Sequence, residues 1–162
     1  MNIYELIEND HRRLLDVLDS IEATPEANAE QRKRLFSYFR TELVIHSKPE
    51  EEIFYGALRN TDLGRHLVQE SMDEHHALER LVMDIQTSSA KNDAWIGKLR
   101  TLRQVIETHM QREESEAFTL ARQSFKAQEA EDLADRMLAE KGRYGMENPV
   151  AVVGKKLKEM LG

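Results

Sequence analysis

The sequence contains no cysteine at all. Disulfides, thiolate metal sites, cysteine-ligated iron–sulfur clusters and a cysteine nucleophile are therefore excluded. Proline is scarce, with three in 162 residues, and glycine numbers only seven, so little interrupts regular structure. No apolar run approaches the roughly 20 residues that a membrane span needs. The first residues, MNIYELIEND, carry neither a basic block nor an apolar stretch of the kind that opens a signal peptide. A cytoplasmic protein without membrane contact is the expectation. Basic side chains are outnumbered 23 to 30 by acidic ones, for a net charge of −7. With no sustained basic patch, general nucleic-acid binding is not expected.

What is abundant is helix-forming. Ala, Glu, Lys, Leu and Arg make up 76 of the 162 residues, against 16 Val and Ile together, a balance that favours long helices over sheet. Ile3, Ile7, His11, Leu14, Leu18 and Ile21 recur at spacings of three and four, one stripe of a helix. Thr24-Pro25-Glu26 reads as the cap, first-position proline and acidic first turn of the next helix. Its stripe is Leu35, Phe39, Leu43, His46, Glu50, Phe54 and Ala57. Asn60-Thr61-Asp62 offers a stop and a fresh cap, and a third helix follows to about Thr87. Ser88-Ser89 and Asn92-Asp93 precede a fourth, with Trp95, Leu99, Leu102, Ile106, His109, Glu113, Ala117 and Leu120 in line. A shorter fifth helix fits Glu129 to Lys141, with Leu133, Met137 and Leu138 inward, before Gly142 and Gly145 break the pattern. The fold expected is all-α: an antiparallel up-down-up-down four-helix bundle over residues 1–143, with a short fifth helix and a loose tail over 144–162.

The six histidines fall into matching halves. His11 and His46 are 35 residues apart, His75 and His109 are 34, and both second members have a glutamate four residues on, Glu50 and Glu113. Such a pair lies on one helix face about 6 Å apart. The spacing alone is weak, because His66-x-x-x-Glu70 and His75-x-x-x-Glu79 share it and glutamate is common. Facing discriminates. His66 lies about 180° from His75 on the helix wheel, whereas Val68, Met72, Leu78 and Val82 surround His75. His66 with Glu70 therefore faces water and His76 sits at an edge. His11, His46, His75 and His109 each replace an apolar residue in a buried stripe, and Glu50 and Glu113 do the same.

One histidine in a core is ordinarily a hydrogen-bonded core residue. Four inward histidines with two inward carboxylates would ruin an apolar interior unless something shared them. Two divalent cations would offset the carboxylates and use the imidazole lone pairs. Imidazole with carboxylate suits iron, zinc, manganese or copper. A structural zinc asks for one closed tetrahedral set rather than six ligands on four helices. Two bridging carboxylates with two histidines per metal leave coordination positions open, which favours a reactive di-iron centre.

Read together, Asp10-His11, the run HSKPEEEIFY from His46 to Tyr55, Asp73-Glu74-His75-His76-Ala77-Leu78, His109-Met110-Gln111-Arg112-Glu113-Glu114 and Arg136 to Lys141 resemble the hemerythrin-like, or HHE cation-binding, domains. The resemblance spans residues 1 to about 143. It implies a four-helix bundle holding two non-haem irons with an oxo or hydroxo bridge. His11, His46, His75 and His109 would be terminal ligands, with Glu50 and Glu113 bridging. Where oxygen-carrying members place a fifth histidine, this chain has Glu79; their aspartate five residues after the last histidine is Glu114, with Glu113 at four. The four-histidine, two-glutamate pattern is closer to the di-iron domain of iron–sulfur cluster repair proteins, whose cysteine-bearing segment has no counterpart in this sequence. The implied function is binding of, or reaction with, a small diatomic or peroxide ligand (dioxygen, nitric oxide or peroxide) in stress response or sensing. A metal-binding module for iron storage, delivery or regulation without turnover is the alternative.

The remaining expectations concern single residues. Pro49 either kinks the second helix between His46 and Glu50 or marks a restart. Tyr4, Tyr38 and Tyr55 are potential hydrogen-bond donors near the centre. Glu79 reads as a boundary glutamate, and Glu51, Glu52 and Glu114 to Glu116 as solvated faces.

Overall fold

Asn2 opens the first helix with a reciprocal cap. Its side chain accepts from the Glu5 backbone N–H, and the Glu5 carboxylate accepts from the Asn2 N–H. From that cap the computed structural model, which describes residues 1–147, runs through five helices with no strand among the described residues. Helix α1 is Ile3–Glu22. Helix α2 is Ala29–Pro49 and continues without interruption through a π-helical turn, Glu50–Tyr55, and one further α-turn, Gly56–Arg59. Helix α3 is Gly64–Gln86. Helix α4 is Asp93–Arg112, followed by a second π-helical turn, Glu113–Ala117, and the α-segment Phe118–Ser124. Helix α5 is Ala127–Glu147.

The first four helices form a ring of neighbours, α1 on α2, α2 on α3, α3 on α4 and α4 on α1, while α5 lies across α1 and α2. Two apolar cores fill the bundle. One gathers Leu14, Leu18, Phe39, Val82, Trp95 and Leu99 around the connections α1–α2 and α3–α4. The other gathers Ile3, Ile7, Phe54, Val68, Phe118 and Met137 at the opposite end. On every helix of the ring, the residues separating the two cores are the buried polar ones: His11, His46 with Glu50, His75, and His109 with Glu113.

Capping departs from the sequence expectation in two places. None of Asn60, Thr61 and Asp62 caps α3, which starts at Gly64 with Leu63 before it and no side-chain cap. Thr24 does not cap α2; its hydroxyl donates back to the Ser20 carbonyl, and a short 3-10 turn, Glu26–Asn28, intervenes before Ala29. The buried Arg32 guanidinium fixes that connection by donating to the carbonyls of Thr24 and Ala90, so one side chain ties two loops together. Asn92 does cap α4, accepting from the Trp95 N–H at 3.2 Å.

The two π turns alter the phase of the stripes. A π turn spends one more residue than an α turn, so the buried position after it arrives one residue late. Beyond the first, Leu58 is buried and Ala57 only half-buried; beyond the second, Ala121 is buried and Leu120 half-buried. Pro49 therefore neither breaks α2 nor restarts it. The chain passes through it at φ −61° into the wider turn.

Helix α5 is longer than the expected Glu129–Lys141. It runs past Gly142 and Gly145, because a glycine in a helix costs about 1 kcal/mol without forbidding it. Its last turns are anchored by Lys141 to Asp10 and by the Tyr144 hydroxyl to Glu52. Its buried side is Ala130, Leu133, Ala134 and Met137, whereas Leu138 is exposed. The remainder of the expected tail, 148–162, lies outside the described residues.

Candidate metal centre

All six residues singled out in the sequence meet in one layer between the two apolar cores, each less than a tenth exposed. They form two overlapping groups: His11, His46, Glu50 and Glu113, and Glu50, His75, His109 and Glu113. Within each group the potential ligand atoms lie within 4.8 Å of one another.

Glu50 and Glu113 belong to both groups because each carboxylate is split between them. Glu50 Oε2 lies 3.1 Å from His46 Nε2, and its Oε1 lies 3.4 Å from His75 Nε2. Glu113 Oε1 lies 3.1 Å from His11 Nε2, and its Oε2 lies 3.8 Å from His109 Nε2. Both glutamates are the first residues of the π turns. These are the sites where each helix widens, and π turns recur at functional positions.

Four buried atoms at this layer have no hydrogen-bond partner: His11 Nε2, Glu50 Oε1 and Oε2, and Glu113 Oε1. Leaving them so costs about 1–3 kcal/mol each, more where charge is involved. A cation at each group would satisfy them with the donor types that histidine and carboxylate supply. The donor set thus fits a metal pair.

The outward nitrogens are all engaged. His46 Nδ1 donates to Asp10 at 2.9 Å, His75 Nδ1 to Glu51 at 2.8 Å, His109 Nδ1 to Glu74 at 2.5 Å and His11 Nδ1 to Glu114 at 2.8 Å. The four bonds make a closed circuit, in which α1 serves the histidine of α2, α2 that of α3, α3 that of α4, and α4 that of α1. Each serving carboxylate is also the immediate sequence neighbour of a central residue: Asp10 precedes His11, Glu51 follows Glu50, Glu74 precedes His75 and Glu114 follows Glu113. Proton placement at Nδ1 leaves the Nε2 lone pair of each ring aimed at the centre.

Electrostatics follow from this packing. Burial raises the Glu50 carboxyl pKa, but the charges of His46 and His75 beside it outweigh it and leave it well below the usual range. Burial lowers His46 and His75, yet their carboxylate neighbours dominate and take them up to about 10 and about 9. Asp10 is pushed up by burial and pulled down further by His46 and Lys141, to about 2.

The sequence expectation is corrected at Glu51, whose side chain is 10% exposed: it is not a solvated face but a partner of His75, turned to the helix boundary that the next helix covers. Glu114 is exposed, as expected of a solvated face, yet it also accepts from His11. Asp10 and Glu74 have the same role, and adjacency to an inward residue was the signal that could have found all four. Tyr55 is fully buried and its hydroxyl donates to Glu113 Oε2. Burial first, and then the charges of Glu113 and Glu50, raise its phenol well above the ordinary value, so it remains a donor. Tyr4 packs edge-on against Phe118, and Tyr38 borders a narrow crevice that reaches His46. Glu79 faces solvent and accepts from Lys48 at 3.0 Å. His66 is exposed beside Glu70, and His76 is exposed.

Residues 2–121 match the family model for the hemerythrin HHE cation-binding domain. The chain belongs to that family. Its fold is similar to that of a hemerythrin HHE cation-binding domain-containing protein from Mycobacterium kansasii, with a TM-score of 0.80 over 95% of this chain and 99% of the other at 21% identity. Over 143 residues it is 26% identical to a curated protein of Nostoc sp. (strain PCC 7120) named DNA nickase, covering 88% of this chain but 40% of that one. The hemerythrin-like chain thus spans less than half the length of that curated relative. No helix among the described residues is long and apolar enough to cross a membrane.

Proposed function

We propose that this hemerythrin-like domain holds two iron ions, one in each group, and binds or reacts with a small oxidant: dioxygen, nitric oxide or peroxide. His11 and His46 would be the terminal ligands of one ion, His75 and His109 those of the other, with Glu50 and Glu113 bridging. The observation that carries this reading is the division of each carboxylate, with one oxygen facing one histidine pair and the other oxygen facing the second.

When bound, two irons supply exchangeable coordination positions and a shared two-electron change. The chain does the rest. The carboxylate circuit fixes each imidazole in the tautomer and orientation that present Nε2. The two apolar cores above and below keep bulk water from the layer. Tyr55 holds Glu113 in place and keeps a proton at its phenol oxygen, within reach of the same carboxylate. Glu79 stands at the bundle surface rather than at the centre, so no fifth nitrogen competes for the second position. That favours reaction or sensing over reversible carriage, and with it a role in oxidative or nitrosative stress.

The test is elemental analysis of chain purified without added metal, with optical spectra before and after azide, followed by single-turnover oxidation of the reduced protein by peroxide. About two irons per chain, as the two groups require, an azide-dependent charge-transfer band and fast oxidation are expected. Equal oxidation rates in wild type and His109→Ala would sink the proposal.

A further inference from the structure

Helices α2 and α3 touch less extensively than α1 with α2 or α3 with α4, and their seam holds a cavity of about 330 Å³. That volume falls at the lower end of the range for small-molecule sites. Its floor is apolar: Leu43 from α2, and Leu78 and Val82 from α3, all less than a tenth exposed. One polar bridge closes each end. Lys48 joins Glu79 at 3.0 Å near the candidate metal centre, where the inner wall is His75. Arg40 joins Gln86 at 2.8 Å at the other end. From Arg40 to Lys48 the helix rises about 12 Å, so the slot is elongated along α2.

The two bridges differ in charge. Lys48 is neutralised by Glu51 and Glu79. Arg40 has only the neutral amide of Gln86 and no carboxylate among the described residues, although the protein as a whole is acidic. An apolar trough with a single uncompensated guanidinium at its outer end matches an amphiphile with an anionic head.

We propose that this slot binds a small medium-chain carboxylate, its head on Arg40 and its chain lying over Leu43, Leu78 and Val82 toward His75. The carboxylate accepts from the guanidinium in place of Gln86, the geometry for which arginine is suited. The chain fills the trough and covers the side of the bundle nearest His75. This inference rests on the slot and not on the identity of the metal.

Isothermal titration calorimetry of the full chain with octanoate tests it, with metal content measured on every sample so that loss of the centre is seen separately. Saturable binding is expected, about tenfold or more weaker in Arg40→Gln and abolished when the trough is filled by Val82→Trp. Ser47→Phe fills it from the rim of α2 and gives the same answer should Val82→Trp fail to fold. No saturable heat in the wild type, or unchanged binding in the filled variants, overturns the site. Octylamine or 1-octanol binding as tightly as octanoate overturns the anionic class.

Discussion

Asp10 of α1 accepts the Nδ1 hydrogen bond of His46 of α2 at 2.9 Å, and the Lys141 ammonium of α5 closes on its other oxygen. Through that single carboxylate the fifth helix is tied to the layer where the metals are proposed to sit. Asp10→Asn keeps the shape but replaces a charged acceptor with an amide that can present the wrong atom. The expected outcome is a metal affinity about 10–100-fold lower, with the helix content unchanged. Competition against a chelator measures it. Lys141→Met, which leaves the His46 bond in place, should weaken retention less. An Asp10→Asn chain that holds its metal as firmly as wild type would remove the orienting role.

Tyr55 supplies the one hydrogen bond that Glu113 receives among the described residues. Tyr55→Phe therefore strips a buried carboxylate of its donor without opening a cavity. Bonds to charged groups contribute about 1.5–3 kcal/mol, so the metal-free chain should lose that much in urea unfolding. In the metal-loaded chain the loss should shrink, because the cation would then satisfy Glu113. Equal losses in the two states would mean that no cation reaches this carboxylate.

The metal-free chain should respond to pH in a defined direction. His46 and His75 are held at about 10 and about 9 in the folded state, above their ordinary 6.5. Their contribution to stability is therefore fully present below about pH 6.5 and is lost as pH rises through 9 to 10. Asp10, lowered to about 2, acts oppositely, stabilising above its ordinary value near 3.8 and failing as pH falls through 2. Thermal melts of chelator-treated protein should thus show a lower Tm at pH 10 than at pH 6. Metal needs the deprotonated imidazoles, so metal-loaded protein should lose far less over the same interval. A flat profile for the stripped chain would contradict the packing of these histidines against carboxylates.

How much of this was legible in the sequence is clearest at α2 and α4. The stripes through His46 and His109 gave the right inward faces as far as Phe54 and Ala117, both buried. Only past the π turns did the prediction slip by one residue, from Ala57 to Leu58 and from Leu120 to Ala121. Pro49 could hint at the first, but Arg112 and Glu113 carry no such mark, and an inserted residue in a helix has no composition signal. Glu51 and Glu114 were hidden for another reason. A helix wheel places them at the edge of a face, and only the neighbouring helix decides whether an edge is solvent or a histidine. The extent of α5 depended on tertiary anchors, Lys141 on Asp10 and Tyr144 on Glu52, that outweigh two glycines.

Those glycines differ sharply from the one that opens α3. A Cβ on Gly64 would stand 2.0 Å from the Leu58 carbonyl oxygen and 2.5 Å from the Thr61 hydroxyl. The first is backbone, fixed by the turn that ends α2, and cannot step aside. A Cβ on Gly142 or Gly145 would meet nothing within 4 Å, and both lie inside a helix. Gly64→Ala should therefore destabilise by about 1–3 kcal/mol as overpacking does, with Tm falling by about 2–4 °C per kcal/mol. Gly142→Ala should instead stabilise by about 0.4–1 kcal/mol, by removing freedom from the unfolded chain and raising helix propensity. Because Gly64 sits at the start of the helix that presents His75, its variant should also loosen metal retention, which Gly142→Ala should leave unchanged. Opposite signs in paired thermal melts are the expected result. A neutral Gly64→Ala would mean that the α2–α3 connection yields where the structure makes it tight.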